Sequence, residues 1–366
     1  MKMKNNNKGI TLVALVITII ILLILAGITI ASLRSSGLFS AAQDAKTKTE
    51  EKTEEENTIL EEYEDAITEQ VTGKKPLKPL ETNKKYESKA ELKDANGNKI
   101  VVPAGFKIVS DATTNNATTV DQGIVIEDAT GTATNGSQFV WIPVGDIKKA
   151  DGTTTSIALN RYSFDSNGVA TEYTSTNFFE EDKTNTTSLK NYGNTISENI
   201  NSFKTSVATN GGFYIGRYEA RKSSSGKLTT VKTDSVWNDI TQPNAATNSK
   251  NMYSTGVTSE LMNSYAWDTA TLFLQTFGGN NKYSRQNSSN NGSLATTGTD
   301  NDKQCNVYDM ASNVREWTTE MYSDSSFPCT NRGGPYNSSS FYASYRGNVS
   351  SSYSDSVLGF RPLLFL

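Results

Sequence analysis

Two acidic side chains, Asp309 and Glu316, bracket a run of small and turn-forming residues, Met310-Ala311-Ser312-Asn313-Val314-Arg315, with Trp317 directly behind. A turn of this composition can present oxygen atoms to a hard cation. Two further blocks follow, Arg332-Gly333-Gly334 and Gly359-Phe360-Arg361. The glycine pair permits a close backbone approach that a Cβ would block. Asp309 and Glu316 also admit a plainer use, one capping the turn and the other pairing with Arg315 or Arg332. The two cysteines, Cys305 and Cys329, lack the spacing and partners of a zinc site, and they either form a disulfide or remain buried thiols. The 366-residue chain has no histidine. That excludes Ser-His-Asp and Cys-His mechanisms together with His-bound zinc and iron.

Between the second and third blocks, 14 of the 22 residues from Asn337 to Leu358 are Ser, Tyr or Asn. Binding loops use this alphabet because Tyr supplies contact area at low entropy cost, while Ser and Asn adapt their hydrogen bonds. The candidate contacts for a protein or glycan ligand are Asn337, Ser338, Ser339, Phe341, Tyr342, Tyr345, Asn348, Ser350 and Tyr353. The bland reading is a solvated Ser-rich loop, and Phe341 and Tyr345 could instead point inward.

In order and spacing, the three blocks resemble the formylglycine-generating-enzyme-like (sulfatase-modifying-factor) family, a branch of the C-type-lectin-like fold. Its pattern reads roughly Y-D-M-A-G-N-V-W-E-W, R-G-G-S and G-F-R. Ser312, Arg315 and Pro335 depart from it. The strands opening at Phe139 and Phe213 also resemble the family's, so the likeness spans roughly residues 100–366. It implies a structural Ca²⁺ held by the side chains of Asp309 and Glu316 and the carbonyls of Ser312 and Val314. It also implies that catalysis needs two copper-holding cysteines after the R-G-G block. None follows Gly334 here, and the iron-dependent relatives need histidines, so the expectation is a non-catalytic ligand-binding domain. The Ser/Tyr/Asn stretch lies where lectin-like variable proteins of diversity-generating retroelements keep their mutable positions.

The elements that must carry these blocks follow from patterning. Short apolar runs, Ile100–Val102, Gly123–Ile126, Phe139–Val144 and Gly212–Glu219, read as strands between polar turns. Ser259–Phe277 reads as a helix with Leu261, Tyr265, Ala266, Thr269, Leu272 and Phe273 on one face. Residues 146–210 read as a polar irregular insertion, and 287–299 as a surface loop. A net charge of −4 and a pI near 5.2 argue against nucleic acid as a partner.

The N-terminus is organised differently. Lys2, Lys4 and Lys8 precede 25 uncharged residues, Gly9 to Leu33, long enough to span a bilayer as a helix. The lysines place the N-terminus inside. A plain anchor, or a secretory signal removed near Ala26 to Ala31, would serve. Lys8-Gly9 before Ile10-Thr11-Leu12-Val13-Ala14 also resembles the class III leader of type IV pilins, which implies cleavage between Gly9 and Ile10 and packing with other pilins. The family's glutamate at the fifth mature position is Ala14 here. Ser40-Ala41-Ala42-Gln43 has the form of a capping box. Beyond it, Ile59, Tyr63, Ile67 and Val71 recur at four-residue steps in a Lys/Glu-rich helix.

The expectation is an α+β chain: leader 1–9, membrane helix 10–36, acidic helical stalk 37–75, linker 76–99, and a formylglycine-generating-enzyme-like domain 100–366. It would be single-pass in the cell membrane, with the C-terminal domain outside and pilus-associated if the leader is cut. A minor pilin with a structural globular domain, and an enzyme of unknown chemistry on the same fold, are the alternatives.

Overall fold

The computed structural model describes residues 16–25, 37–73, 75–110, 118–180, 195–286, 292–299 and 302–366. The chain divides into two units, Met1–Pro76 and Leu77–Leu366. In the first, Val16–Leu25 are helical and exposed, and α1 runs over Leu38–Thr72. The predicted cleavage site, Gly9 and Ile10, lies outside the described residues. α1 starts at Gly37 in the left-handed region, and Ser40 donates to the Gly37 carbonyl from inside the first turn, so Ser40 is not the cap. Gly73 ends the helix through its N–H to Glu69 O. Ile59, Tyr63, Ile67 and Val71 are all exposed.

The expected fold class and location are both corrected here. Among the described residues no helix is long and apolar enough to cross a membrane. α1 is long but is studded with Lys and Glu. A membrane helix with a stalk, and with it single-pass anchoring, is therefore not part of the structure described. In place of the expected α+β chain with its membrane helix and stalk, the second unit is mainly β, because its apolar runs are short and bounded by turn residues.

In that unit we label β1 Phe106–Ile108, β2 Val125–Asp128, β3 Gln138–Pro143, β4 Phe178–Phe179, β5 Gly212–Gly216, β6 Thr258–Leu261, β7 Arg315–Tyr322, β8 Cys329–Arg332, β9 Arg346–Val349, β10 Leu358–Gly359 and β11 Pro362–Phe365. The helices are α2 Ile200–Asn210, α3 Gln242–Lys250 and α4 Ser264–Phe277. One six-stranded sheet has the order β6-β11-β5-β3-β2-β1, antiparallel throughout. Both its faces are covered. Phe139 and Trp141 of β3 enter one core with Trp317, Leu358 and Phe360, while Val140 and Ile142 enter the other with Phe203 of α2 and Trp267 of α4. A strand buried on both faces reads as a continuous apolar run, which is why Phe-Val-Trp-Ile shows no alternation.

The second sheet has the order β4-β7-β8-β9, with β10 parallel to β7. Each of the three sequence blocks runs into it: Arg315–Trp317 open β7, Arg332 ends β8 and Gly359 ends β10. The region read as an irregular insertion is partly ordered, with hairpins Gly145–Lys148/Thr154–Ile157 and Tyr162–Phe164/Ala170–Glu172 and then α2. The stretch read as a linker holds Lys78–Pro79 and Ala90–Lys93, which join Lys99–Val102 in a three-stranded sheet. The predicted helix from Ser259 is two elements. Thr258–Leu261 pairs with β11, and Asn263 then caps α4 by accepting from the Ala266 N–H at 2.8 Å.

Candidate ligand-binding face

The arginines of the second and third blocks are fully buried, and each ends on carboxylates. Arg361 grips Glu316 of β7, with Nη2–Oε1 at 2.6 Å and Nε–Oε2 at 2.7 Å, and also donates to the carbonyls of Gly216 and Tyr308. Arg332 donates to Asp268 of α4, to Glu320 of β7 at 3.3 Å and to the Tyr345 carbonyl at 2.9 Å. Arg346, on β9, returns to the same two carboxylates, and Arg161 also reaches Glu320. Burial alone would raise the Glu320 pKa, but Arg346, Arg332 and Arg161 together hold it at about 2. The polar stretch between the blocks is thus tied at its entry, its middle and its exit.

Gly333 and Gly334 serve the close approach expected of them. A Cβ on Gly333 would sit 2.7 Å from Met310 O, and one on Gly334 would sit 2.7 Å from Ala311 O and 3.0 Å from Phe341 O. The 309–316 turn therefore packs directly under the start of the polar stretch. Asp309 and Asn313 adopt positive φ, 61° and 65°, which Asp and Asn tolerate better than most residues.

Around this turn, acids outnumber their buried cation. Asp302 accepts from Ala311 N and the Tyr283 hydroxyl, Asp309 from Gly298 N and the Ser312 hydroxyl, and Glu219 from Asn313 Nδ2 and Val314 N. Burial pushes Asp302 up to about 6, and burial with the neighbouring Asp302 pushes Asp309 up to about 8. Glu219 is raised well above its ordinary range by burial and by Asp309 and Glu316. Of the ligand set implied for calcium, Asp309 faces this cluster, but both Glu316 oxygens are taken by Arg361. Among the described residues no group of three or more Asp, Glu or Cys side chains is disposed to hold a metal ion. With both Glu316 oxygens held by Arg361, the side chains present do not fit the calcium set the resemblance implies. Glu316 pairs with Arg361, not with the anticipated Arg315 or Arg332.

The nine candidate contact residues lie on one segment, and none is buried. Asn337, Ser339 and Tyr353 are exposed; Ser338, Phe341, Tyr342, Tyr345, Asn348 and Ser350 are half-buried. The buried Ala343–Ser344 pair pins the segment. Trp267 Nε1 donates to Ala343 O at 2.9 Å, Ala343 N donates to Gln286 O, and the Ser344 N–H and hydroxyl both donate to Ser284 O. Phe341 and Tyr342 flank this pin on one side and Tyr345 on the other, with the Phe341 and Tyr345 rings edge-to-face at 4.6 Å. The Arg285 guanidinium lies 3.7 Å over the Tyr342 ring. Tyr353, 38% exposed, donates to Asp355 at 2.7 Å. Neither Phe341 nor Tyr345 points into the core.

Cys305 and Cys329 are both free thiols, the first in a hairpin turn and the second in β8, so no disulfide joins them. Burial pushes both to about 12, away from nucleophilic use. Sequence reading missed Asp268, Glu320, Arg346 and Arg285. Asp268 could have been suspected, since it is the one charged residue of α4 and an unpaired buried charge would be costly.

Residues 190–364 match the family model described as the sulfatase-modifying factor enzyme 1-like domain. β1 to β4 lie before the matched range. No curated protein matches the chain. Solved structures similar to it include Treponema denticola variable protein 1, at 10% identity over 64% of this chain and 98% of that one, with a TM-score of 0.37. PvdO from Pseudomonas aeruginosa has 12% identity over 66% and 98%, TM-score 0.34, and the Major Tropism Determinant M1 variant 12% over 78% and 83%, TM-score 0.31. Likenesses this weak carry no argument about fold or ligand.

Proposed function

We propose that the second unit is a non-catalytic, lectin-like ligand-binding domain whose ligand face is the segment from Asn337 to Leu358. The observation that supports this reading most is the division of labour within the segment. Two of its three arginine ties, Arg332 and Arg361, are fully buried, while its aromatic, hydroxyl and amide side chains remain largely at the surface. A solvated loop would not need three arginine anchors. A binding face does, because ordering it beforehand lowers the entropy cost of association. The absence of catalysis is supported by the sequence, which has no histidine and no cysteine after Gly334, and by two thiols whose pKa burial pushes to about 12.

The test separates binding from turnover. The full-length chain, supplied with copper, is incubated with a cysteine-containing sulfatase-type peptide and examined by mass spectrometry, while a parallel sample is applied to glycan and protein arrays. The expected outcome is selective array binding with no aldehyde product. Aldehyde formation would overturn the reading, as would an array without signal.

A further inference from the structure

A cavity of about 180 Å³ opens between the approach to α2, α3, β6 and β7, and it shares no residue with the Asn337–Leu358 segment. Its floor is aliphatic and buried, from Ile196, Ala246 and Leu261, while Glu198, Thr247 and Lys250 stand exposed at its mouth. One buried charge lines it, Glu260 of β6, only 5% exposed. The Glu260 oxygens accept from neutral donors, Oε2 from the Ser197 hydroxyl at 2.9 Å and Oε1 from Asn199 Nδ2 at 2.6 Å. Asn199 sits at the N-cap of α2 but makes no cap bond, so its amide is committed to the carboxylate instead. The neighbouring ammonium, Lys250 Nζ, lies 2.7 Å from Glu198 Oε2, and among the described residues no cation comes within ion-pair distance of Glu260. Burial raises the Glu260 pKa against the pull of Asn199, Ser197 and Lys250, as expected of a carboxylate whose donors do not offset its lost hydration. The cavity thus holds two carboxylates and one ammonium, and a buried charge without its counter-ion is costly.

We infer that this cavity takes an alkylammonium group, a lysine side chain or a free primary amine, with Glu260 as its counter-ion. The ammonium meets the carboxylate, and the methylenes lie along Ile196, Ala246 and Leu261, as a long cationic side chain lays its stem on apolar surface. Because Ser197 and Asn199 already occupy one site on each Glu260 oxygen, a single-point ammonium fits the remaining edge better than a two-pronged guanidinium. Two carboxylates, one of them tied to Lys250, fall short of a metal ligand set. This site stands apart from the ligand-face reading and does not depend on it.

Ligand-observed NMR titrations of the full-length chain decide it, with n-butylammonium chloride, neutral 1-butanol, and short capped peptides carrying lysine, norleucine or arginine. Butylammonium or the lysine peptide should bind at least roughly tenfold more tightly than its neutral counterpart, the scale of one charge-assisted contact. Whichever cationic probe binds more tightly tells whether the site serves a free amine or a lysine on a partner. Glu260→Gln keeps an amide within reach of Ser197 and Asn199, so it should hold the melting temperature and erase the preference for charge. Lys250→Met, at an exposed position, leaves Glu198 unpaired and should tighten the cationic probes severalfold; it keeps the test open if Glu260→Gln fails to fold. Equal binding of the neutral probes, tighter binding of the arginine peptide or no binding of either alkylammonium would overturn the inference. So would an unchanged preference in a folded Glu260→Gln chain, or no gain in Lys250→Met.

Discussion

Replacing Arg361 with Met removes the counter-charge of Glu316 while filling a similar volume. Glu316 is fully buried, and its two oxygens receive three donations from Arg361, so the variant leaves a carboxylate without its compensating cation. Stranding one member of a buried pair costs about 3–5 kcal/mol. Protonation caps that cost. From an unfolded-state pKa near ~4.3 to pH 7 is about 2.7 units, each worth about 1.4 kcal/mol, which gives a ceiling of about 4 kcal/mol at pH 7 and about 1 kcal/mol at pH 5. The carbonyls of Gly216 and Tyr308 each lose a donor, adding roughly 1 kcal/mol apiece at any pH. The sign follows from the direction of the shift. A carboxyl whose folded pKa is raised contributes stability that is fully present below its unfolded pKa and is lost as pH rises through the folded one. The loss relative to the parent chain should therefore be larger at pH 7 than at pH 5 by about 3 kcal/mol. Asp302, Asp309 and Glu219 shift in the same sense when Arg361 goes. Urea denaturation of both chains at the two pH values reads the difference, and Glu316→Gln with Arg361→Met should recover most of the charge term. A pH-independent loss under about 1 kcal/mol, well below the cost of a stranded charge, would refute the reasoning, as would a double variant no better than the single one.

Further outcomes follow from the same frame. Asp302 and Asp309, raised to about 6 and about 8, contribute stability that is lost as pH climbs through those values, and Glu320, held at about 2, contributes stability lost only in strong acid. Denaturation midpoints should therefore decline from pH 5 to pH 8, and Asp309→Asn, which keeps the turn but not the charge, should flatten that decline. Gly334→Ala drives a Cβ against two carbonyl oxygens of the main chain and should cost roughly 1–3 kcal/mol by chemical denaturation; a neutral result would mean that the turn and the polar stretch are not packed together. Because Glu316 is committed to Arg361, a calcium chelator should leave the melting temperature unchanged, whereas a bound ion at a hundredfold excess over its Kd would add about 2.7 kcal/mol and its removal would be plain in the melting curve.

The three blocks were legible in the sequence because each makes a local demand that few residues meet. Asp309 and Asn313 accept positive φ, and Gly333 and Gly334 leave room for the carbonyls of Met310 and Ala311. The partners of the arginines were not legible. Asp268, Glu316 and Glu320 meet Arg332, Arg346 and Arg361 only after two sheets and α4 are assembled, and no periodicity signals such long-range pairing. Polar composition also misled over residues 146–210. The Asp151-Gly152 pair was a hairpin signal inside a tract that otherwise looked irregular. Near the N-terminus the length of an uncharged run suggested a membrane span, whereas among the described residues no helix is long and apolar enough to cross a membrane.

The central claim is that surface aromatics between the buried arginines make the ligand contacts. Tyr342→Ala and Tyr353→Ala, each in the full-length chain, test it through melting temperature and array binding measured together. Neither ring is buried, so stability should stay within about 0.5 kcal/mol while the binding profile weakens or changes. Losses of about 3–5 kcal/mol in both variants, the cost of emptying a core site, would contradict the account, and so would array profiles identical to the parent's.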